Sequence, residues 1–303
     1  MTKVFIDGSA GTTGLRIADR LKKRADLELI CLPEEIRKDY QARKDAVNGA
    51  DIVFLCLPDA AAIEAVGMVE NDTVKVIDTS TAHRVNDGWT YGFAEIVGSD
   101  KIASSRFVAN PGCHASGFIA LVAPLVKAGL LNKDALLSCF SLTGYTGGGK
   151  KMIADYEGAK GALDAPRQYA LTQQHKHLKE MVAVTGIERA PVFLPVVGAF
   201  PRGMQVSVPL SPDWLSCDAK GVKEIYRSLY QGGVVRYEET ETPMLAADVM
   251  AGKDVMTVSV IGNEERIVAV ASFDNLGKGA SGAAIQNLNL MLGADELTGL
   301  KTE

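Results

Sequence analysis

Cys113 is the first residue in this chain with a claim to chemistry. It stands in VANPGCHASGFIALVAPLV, residues 108–126, just after Asn110-Pro111-Gly112 and just before a long apolar run. Pro-Gly suits a tight turn. A helix beginning at this point would hold the thiol among backbone N–H groups at the positive end of its dipole, which favours the reactive thiolate. The same N–H groups could hold the oxyanion that forms when a thiolate attacks a carbonyl. Most cysteines are buried and inert. Cys31 and Cys56, inside strand-like runs, are read that way, as are Cys139 and Cys217.

A cysteine nucleophile needs a proton carrier tuned near neutral pH. The chain has four histidines, and QQHKHLKE supplies two of them, His175 and His177, in a polar stretch opening a helix with Glu180 three residues on. Such a histidine is often only a surface or capping residue. His83 and His114 have less claim, and His114 is expected to point away from Cys113, since adjacent helical residues do not face each other. Ser80 and Arg84 in STAHR, Arg106 in SSRFVANPGC, and Lys150 with Lys151 after TGYTGGG are candidate phosphate-holding groups. A glycine loop followed by a cation can cradle an anion, although each charge alone is more often a solvated surface group.

A second cluster lies at the start of the chain. DGSAGTTG carries Gly8, Gly11 and Gly14 at G-x-x-G-x-x-G spacing, with Ser9, Thr12 and Thr13 between them, after an apolar run and before a helical pattern. Glycines there permit a sharp turn and let a pyrophosphate approach the helix N-terminus. The alternative is a tight strand-to-helix turn with no ligand. The next strand end reads CLPEEIRK, with both charge signs. An acidic residue there would suit the free 2′-hydroxyl of NAD, and a basic one the 2′-phosphate of NADP, so the residues leave the two forms open.

These residues need elements to position them. KVFID, LELICL, ADIVFLCLP and TVKVIDTS read as strands, and the helical patterns between them point to a Rossmann-type, doubly wound parallel sheet. After Cys113 a helix over about 114–128 is followed by alternating strands in APVFLPVVGAFPRGMQVSVPL and DVMTVSVIGNEERIVAVASFDN. The fold class is α/β, with a second α+β domain. The expected division is 1–112 plus 277–303 for dinucleotide binding and 113–276 for catalysis. With 303 residues, 47% of them hydrophobic, there is ample material for a large core, and a net charge of −5 does not suit a nucleic-acid binder. Five cysteines with no CxxC argue against disulfides and structural zinc, so no metal is expected. No stretch reads as a signal peptide or membrane span, and a cytoplasmic setting is expected.

GSAGTTG, NPGC, HKHLKE and NLGKGASGAAIQ, in that order across nearly the whole chain, together resemble the N-acetyl-gamma-glutamyl-phosphate reductases of shorter form. Aspartate-semialdehyde dehydrogenase belongs to the same wider group. NPGC tilts the resemblance to the first family, since the glycine loop is common to all. The resemblance implies Cys113 as nucleophile and the His175/His177 pair as acid/base, with a lean to His177. It implies NADP at the GSAGTTG loop, with Asn275, Gly277, Lys278 and Gly279 of NLGKGASGA also on the cofactor. It further implies an acyl phosphate substrate and a homodimer or homotetramer whose second domain serves oligomerisation. One departure is His114-Ala115-Ser116, where many relatives carry an aromatic residue, then Pro and Thr. The rival readings are an aspartate-semialdehyde dehydrogenase-like enzyme, a nucleotide sensor without chemistry, and a Cys–His hydrolase. The last would have no use for the glycine loop.

Overall fold

The computed structural model describes residues 1–303 and divides into two compact units. Unit 1 comprises Met1–Pro111 and Ala283–Gly299, and unit 2 comprises Gly112–Gly282 and Leu300–Glu303. The return to unit 1 therefore begins at Ala283, where the sequence had suggested 277.

Unit 1 holds β1 (Thr2–Asp7), α1 (Thr12–Leu21), β2 (Leu27–Ile30), α2 (Tyr40–Gly49), β3 (Ile52–Leu55), α3 (Asp59–Gly67), β4 (Lys75–Asp78), β5 (Thr90–Tyr91), the short helices α4 (Ala94–Val97) and α5 (Ser99–Ala103), and β6 (Phe107–Ala109). The sheet runs β2-β1-β3-β4-β6-β5 and every pairing is parallel. Ile52–Leu55 is buried throughout, as expected of a parallel strand covered on both faces. Val47, Val53, Leu55, Ala62, Ala65 and Val76 form a core between the sheet and α2 and α3.

Unit 2 opens with α6 (Cys113–Lys127), followed by β7 (Ser138–Gly144), α7 (Gly149–Gly158), β8 (Arg167–Gln168), α8 (His177–Thr185), β9 (Val192–Gly198), β10 (Met204–Leu210), α9 (Ala219–Leu229), β11 (Gln231–Gly232), β12 (Val235–Tyr237), β13 (Met256–Asn263) and β14 (Arg266–Phe273). A π-helical turn over Gly277–Ser281 then feeds α10 (Gly282–Leu292). The eight-stranded sheet is mixed. β10 pairs antiparallel with β7 and β14, and β13 with β14, whereas β7–β9 and β12–β13 are parallel.

Thirteen of the fifteen residues of α6 are buried, because the run Phe118–Val126 is apolar on every side and must be surrounded. A Cβ on Gly117 would lie 2.7 Å from Val206 Cβ, so glycine lets the helix sit directly on the sheet. Pro124 lies inside the helix. It has no N–H to give the Ala120 carbonyl one turn back, and the Tyr230 hydroxyl donates to that carbonyl instead, at 2.7 Å, while Tyr226 donates to Leu121. A buried carbonyl stripped of its partner costs about 1–3 kcal/mol. Tyr230→Phe is therefore expected to lower stability by roughly that amount, read as a displaced denaturant midpoint. The expected Pro124 compensation is absent if the midpoint does not move.

Candidate active site

In unit 1, the chain leaves Asp7 and turns at once through Gly8, whose φ is +86°. A side chain there would collide with the Cys56 carbonyl, and one on Gly14 with the Gly8 carbonyl, so α1 packs tightly against the turn. Gly11 is different. It has an ordinary φ of −74°, and an added Cβ would meet nothing closer than 3.4 Å. The protein itself does not demand glycine at that position, which suits a place kept open for a ligand's close approach.

The turn forms one wall of a cleft of about 570 Å³ that also takes in Ser9, the end of β2, Arg37, Lys38 and Pro58. Thr12, Thr13 and Gly14 are not part of that wall; the threonines open α1 and Gly14 packs beneath the turn. Arg43 also reaches the cleft, but its guanidinium is engaged, at 3.0 Å from Asp7 Oδ2 and 2.7 Å from Glu64 Oε2. Burial raises the Asp7 carboxyl above its usual range despite the Arg43 bond. A glycine turn at a helix N-terminus, with two exposed cations past β2, fits a dinucleotide bearing an extra phosphate.

In unit 2, Cys113 is the first residue of α6, at the positive end of a long buried helix. The Gly112 N–H before it donates to Glu180 Oε2 at 3.1 Å. Glu180, 1% exposed, stands on α8 with its other oxygen 3.9 Å from His177 Nε2. The Cys113 sulfur and ring nitrogens of His114 and His177 lie within 4.8 Å of one another. His175 completes the cluster, its ring centroid 4.6 Å from His177 and 5.8 Å from His114.

His114 corrects the expectation that it turns away from the thiol. Cys113 and His114 are the first residues of the helix, with no preceding turn to separate them. The imidazole is 3% exposed, Nδ1 lies 2.7 Å from Ser141 Oγ, and Nε2 lies 2.6 Å from Tyr169 Oη. Burial, with the neighbouring His175 adding to it, pushes His114 down to about 3, so the ring is neutral at physiological pH. Both nitrogens are engaged by hydroxyls, so the Cys113–His114–His177 group is not a set of three available metal ligands. Burial pushes Cys56 up to about 12, raises Cys139 further and raises Cys217. These are thiols kept protonated.

The remaining expected residues divide. Asn275, Gly277, Lys278 and Gly279 lie in unit 2. Asn275 accepts from the Gly203 N–H and donates to Thr146, and Gly277 packs on the Lys253 carbonyl. A Cβ on Gly279 would lie 3.0 Å from Cys113 Cβ, so this turn sits against the thiol residue, with Lys278 buried in it. These contacts account for the glycines by packing. Lys150 is exposed in the first turn of α7. In unit 1, Ser80 is bonded to Asp78, which also holds His83, and Arg84 ties the Asn110 and Thr79 carbonyls. Arg106 is a correction. Its guanidinium holds the Val74 and Asn71 carbonyls at the N-terminal end of β6, away from the strand ends where a parallel sheet binds ligands. Nothing in the spacing of Tyr169 or Ser141 singles them out, since only the fold brings them to His114.

Two family models match the chain. "Semialdehyde dehydrogenase, NAD binding domain" covers residues 3–105 and "Semialdehyde dehydrogenase, dimerisation domain" covers residues 113–275. Solved structures agree on the fold. Aspartate semialdehyde dehydrogenase II from Vibrio cholerae superposes with a TM-score of 0.72 at 16% identity, over 97% of this chain and 99% of that one. The Candida albicans aspartate semialdehyde dehydrogenase, solved with NADP, gives 0.70 at 14% identity, over 97% and 99%. Closer in sequence are the N-acetyl-gamma-glutamyl-phosphate reductases of Sinorhizobium medicae, 48% identical, and Brucella ovis, 47% identical, each over 96% of this chain and 99% of the relative. Within the semialdehyde dehydrogenase class, this chain belongs to the N-acetyl-gamma-glutamyl-phosphate reductase family.

The buried neutral His114 carries a pH signature. Unfolding frees a histidine that binds a proton near pH 6.5, whereas the folded ring resists until about 3. The unfolded state therefore gains protons first as pH falls, and this contribution to stability is lost between about 6.5 and 3. His114→Gln should flatten the fall in denaturation midpoint across that window by the equivalent of a few kcal/mol. An equally steep fall in the variant would mean that His114 is not the proton-resisting group.

Proposed function

We propose that this chain reduces N-acetyl-gamma-glutamyl phosphate to N-acetylglutamate 5-semialdehyde and phosphate, with NADPH as reductant and a thioester on Cys113 as intermediate. This is a step of arginine biosynthesis. The observation that carries the reading is the Cys113 sulfur at the N-terminus of α6, within 4.8 Å of the imidazole of His177, in a chain 48% identical to a reductase of that name.

The Cys113 thiolate, favoured by the helix dipole, attacks the acyl carbon. N–H groups in the first turn of α6 are suited to the tetrahedral oxyanion. Collapse expels phosphate, with exposed Lys150 the candidate to receive it, and leaves the acyl group on sulfur. Bound NADPH would supply the hydride for reduction of the thioester to a thiohemiacetal. Gly8, Ser9 and Gly11 would hold its pyrophosphate, and Arg37 and Lys38 its 2′-phosphate. His177, with Glu180 beside it, donates the proton that the new oxygen needs. It takes that proton back as the carbon–sulfur bond breaks, releasing the aldehyde and restoring the thiolate. His175, in ring contact with His177, is the alternative carrier.

The assay is run in reverse, following NADP reduction with N-acetylglutamate semialdehyde. Turnover should require phosphate, exceed that with NAD, and fall by roughly a thousandfold or more in Cys113→Ala. A protein that binds NADP but gives no phosphate-dependent turnover would overturn the reading.

The reading includes a homodimer or homotetramer in the cytoplasm, where five cysteines outside any disulfide persist as thiols. Support for assembly comes from the unit 2 sheet. α6 covers the face bearing Val206, while the opposite face aligns Phe140 and Leu142 of β7 with Leu194 and Val196 of β9. Phe140 is 40% exposed, and such apolar surface suits a contact with a second copy. Phe140→Glu should reduce the mass measured by sedimentation equilibrium. A wild-type chain that sediments as a monomer would refute the assembly.

A further inference from the structure

The histidines of HKH stand on a constrained piece of chain. Tyr169 donates its N–H to the Pro195 carbonyl at 3.0 Å, extending the edge where β8 pairs with β9. The next residue, Ala170, has φ of +53°, and Gln173 has φ of +58°. Neither is glycine, and left-handed backbone costs such residues about 1 kcal/mol or more. Gln173 is held to the Phe193 backbone by two bonds: its amide NH2 donates to the carbonyl at 2.7 Å, and its Oε1 accepts from the N–H at 2.9 Å. The His177 N–H then meets His175 Nδ1 at 3.3 Å as α8 begins. The turn from 170 to 176 therefore hangs between the Tyr169 side and α8, and it carries His175 into ring contact with His114, His177 and Tyr169.

At the Tyr169 end the anchor is a chain of three groups, Ser141 Oγ to His114 Nδ1 at 2.7 Å and His114 Nε2 to Tyr169 Oη at 2.6 Å. A neutral imidazole donates at one nitrogen and accepts at the other. One hydroxyl must therefore donate and the other accept, which gives the chain a direction. Ser141 is fully buried on β7, and His114 belongs to the rigid first turn of α6. The anchor thus joins the histidine turn to the helix that bears the nucleophile.

We propose that Tyr169 is a positioning residue for the Cys113 chemistry: through its hydrogen bond to His114 it fixes the strained turn that presents His175 and His177 to the thiol. The proposal deepens the reductase reading and rests on its assignment of Cys113 as nucleophile. His114, being neutral, adds no positive charge to the cluster, so the proton needed in turnover resides on His175 or His177. Burial, with the charge of the Cys113 thiolate adding to it, raises the Tyr169 phenol far above its usual range, so it stays protonated and acts by hydrogen bonding.

Tyr169→Phe keeps the ring and removes only the hydroxyl. Two readouts are taken on the full chain. The first is the rate of Cys113 alkylation by iodoacetamide against pH, followed on the Cys113 peptide by mass, which needs neither substrate nor cofactor. The second is steady-state turnover. Loosened histidines should displace the alkylation profile to higher pH and slow the reaction at pH 7 by roughly tenfold, with kcat down about ten- to a hundredfold and KM within about twofold. If Tyr169→Phe does not fold, Ser141→Ala cuts the same chain at its other end and is read the same way. An alkylation profile identical to wild type in a folded variant would overturn the proposal, even if kcat fell. Displaced alkylation in a chain whose wild type fails the turnover assay would support the positioning role and overturn the reductase reading.

Discussion

An apolar helix has to be enclosed, and a helix enclosed along its length can offer chemistry only at an end. In α6 that constraint is met by the sheet of unit 2, by α8 and α9, and by tyrosine hydroxyls that take up carbonyls around Pro124. The helix cannot tilt or slide without breaking these contacts. Its first turn is therefore a fixed platform, and Cys113 stands on it with the peptide dipoles of four turns behind the sulfur. Gly117 and Gly279 serve the same end, one letting the helix touch the sheet and the other letting the π-helical turn touch Cys113.

Electrostatics then governs how many imidazoles can share the space beside one thiol. Three protonated histidines at ring separations of 4.6–5.8 Å would repel. Burial removes His114 from that competition by keeping it neutral. Glu180 stands 3.9 Å from His177 Nε2, and it also receives the Gly112 N–H immediately before the cysteine. One carboxylate thus orients the turn in front of the nucleophile and the proton carrier beside it. The stack from Ser141 to Tyr169 adds a second connection between the same two parts of the unit.

Unit 1 solves a different problem. A dinucleotide needs backbone that can be approached closely and positive charge that is not already spent. The Gly8 turn provides the first, with Gly14 allowing α1 to close against it. Asp7 and Glu64 engage Arg43, so that residue braces β1, α2 and α3, while Lys38 is exposed at the cleft beside Arg37, whose guanidinium meets only the exposed Glu34 carboxylate. Ser80 and Asp78 show the same division, since a serine that could face an anion is bonded to a carboxylate.

What could be read in the sequence was whatever depends on local spacing. Continuous apolar runs announce parallel strands, G-x-x-G-x-x-G announces a strand-to-helix turn, and a cysteine behind Pro-Gly and ahead of an apolar run announces a helix N-terminus. Strands β1 to β4 of unit 1, the helix behind Cys113 and the long strands β9, β10, β13 and β14 of unit 2 follow from such patterns. Contacts between distant segments have no such pattern. Tyr169 meets His114 across 55 residues and Gly112 meets Glu180 across 68, and neither partner carries a mark of the other. Arg106 shows the converse. In the sequence it stood as a candidate anion-holding charge, but its guanidinium is taken up by the Val74 and Asn71 carbonyls at the start of β6. Whether a charge is spent or available, and whether a histidine titrates, depends on burial and partners. Those arise only when the chain is folded.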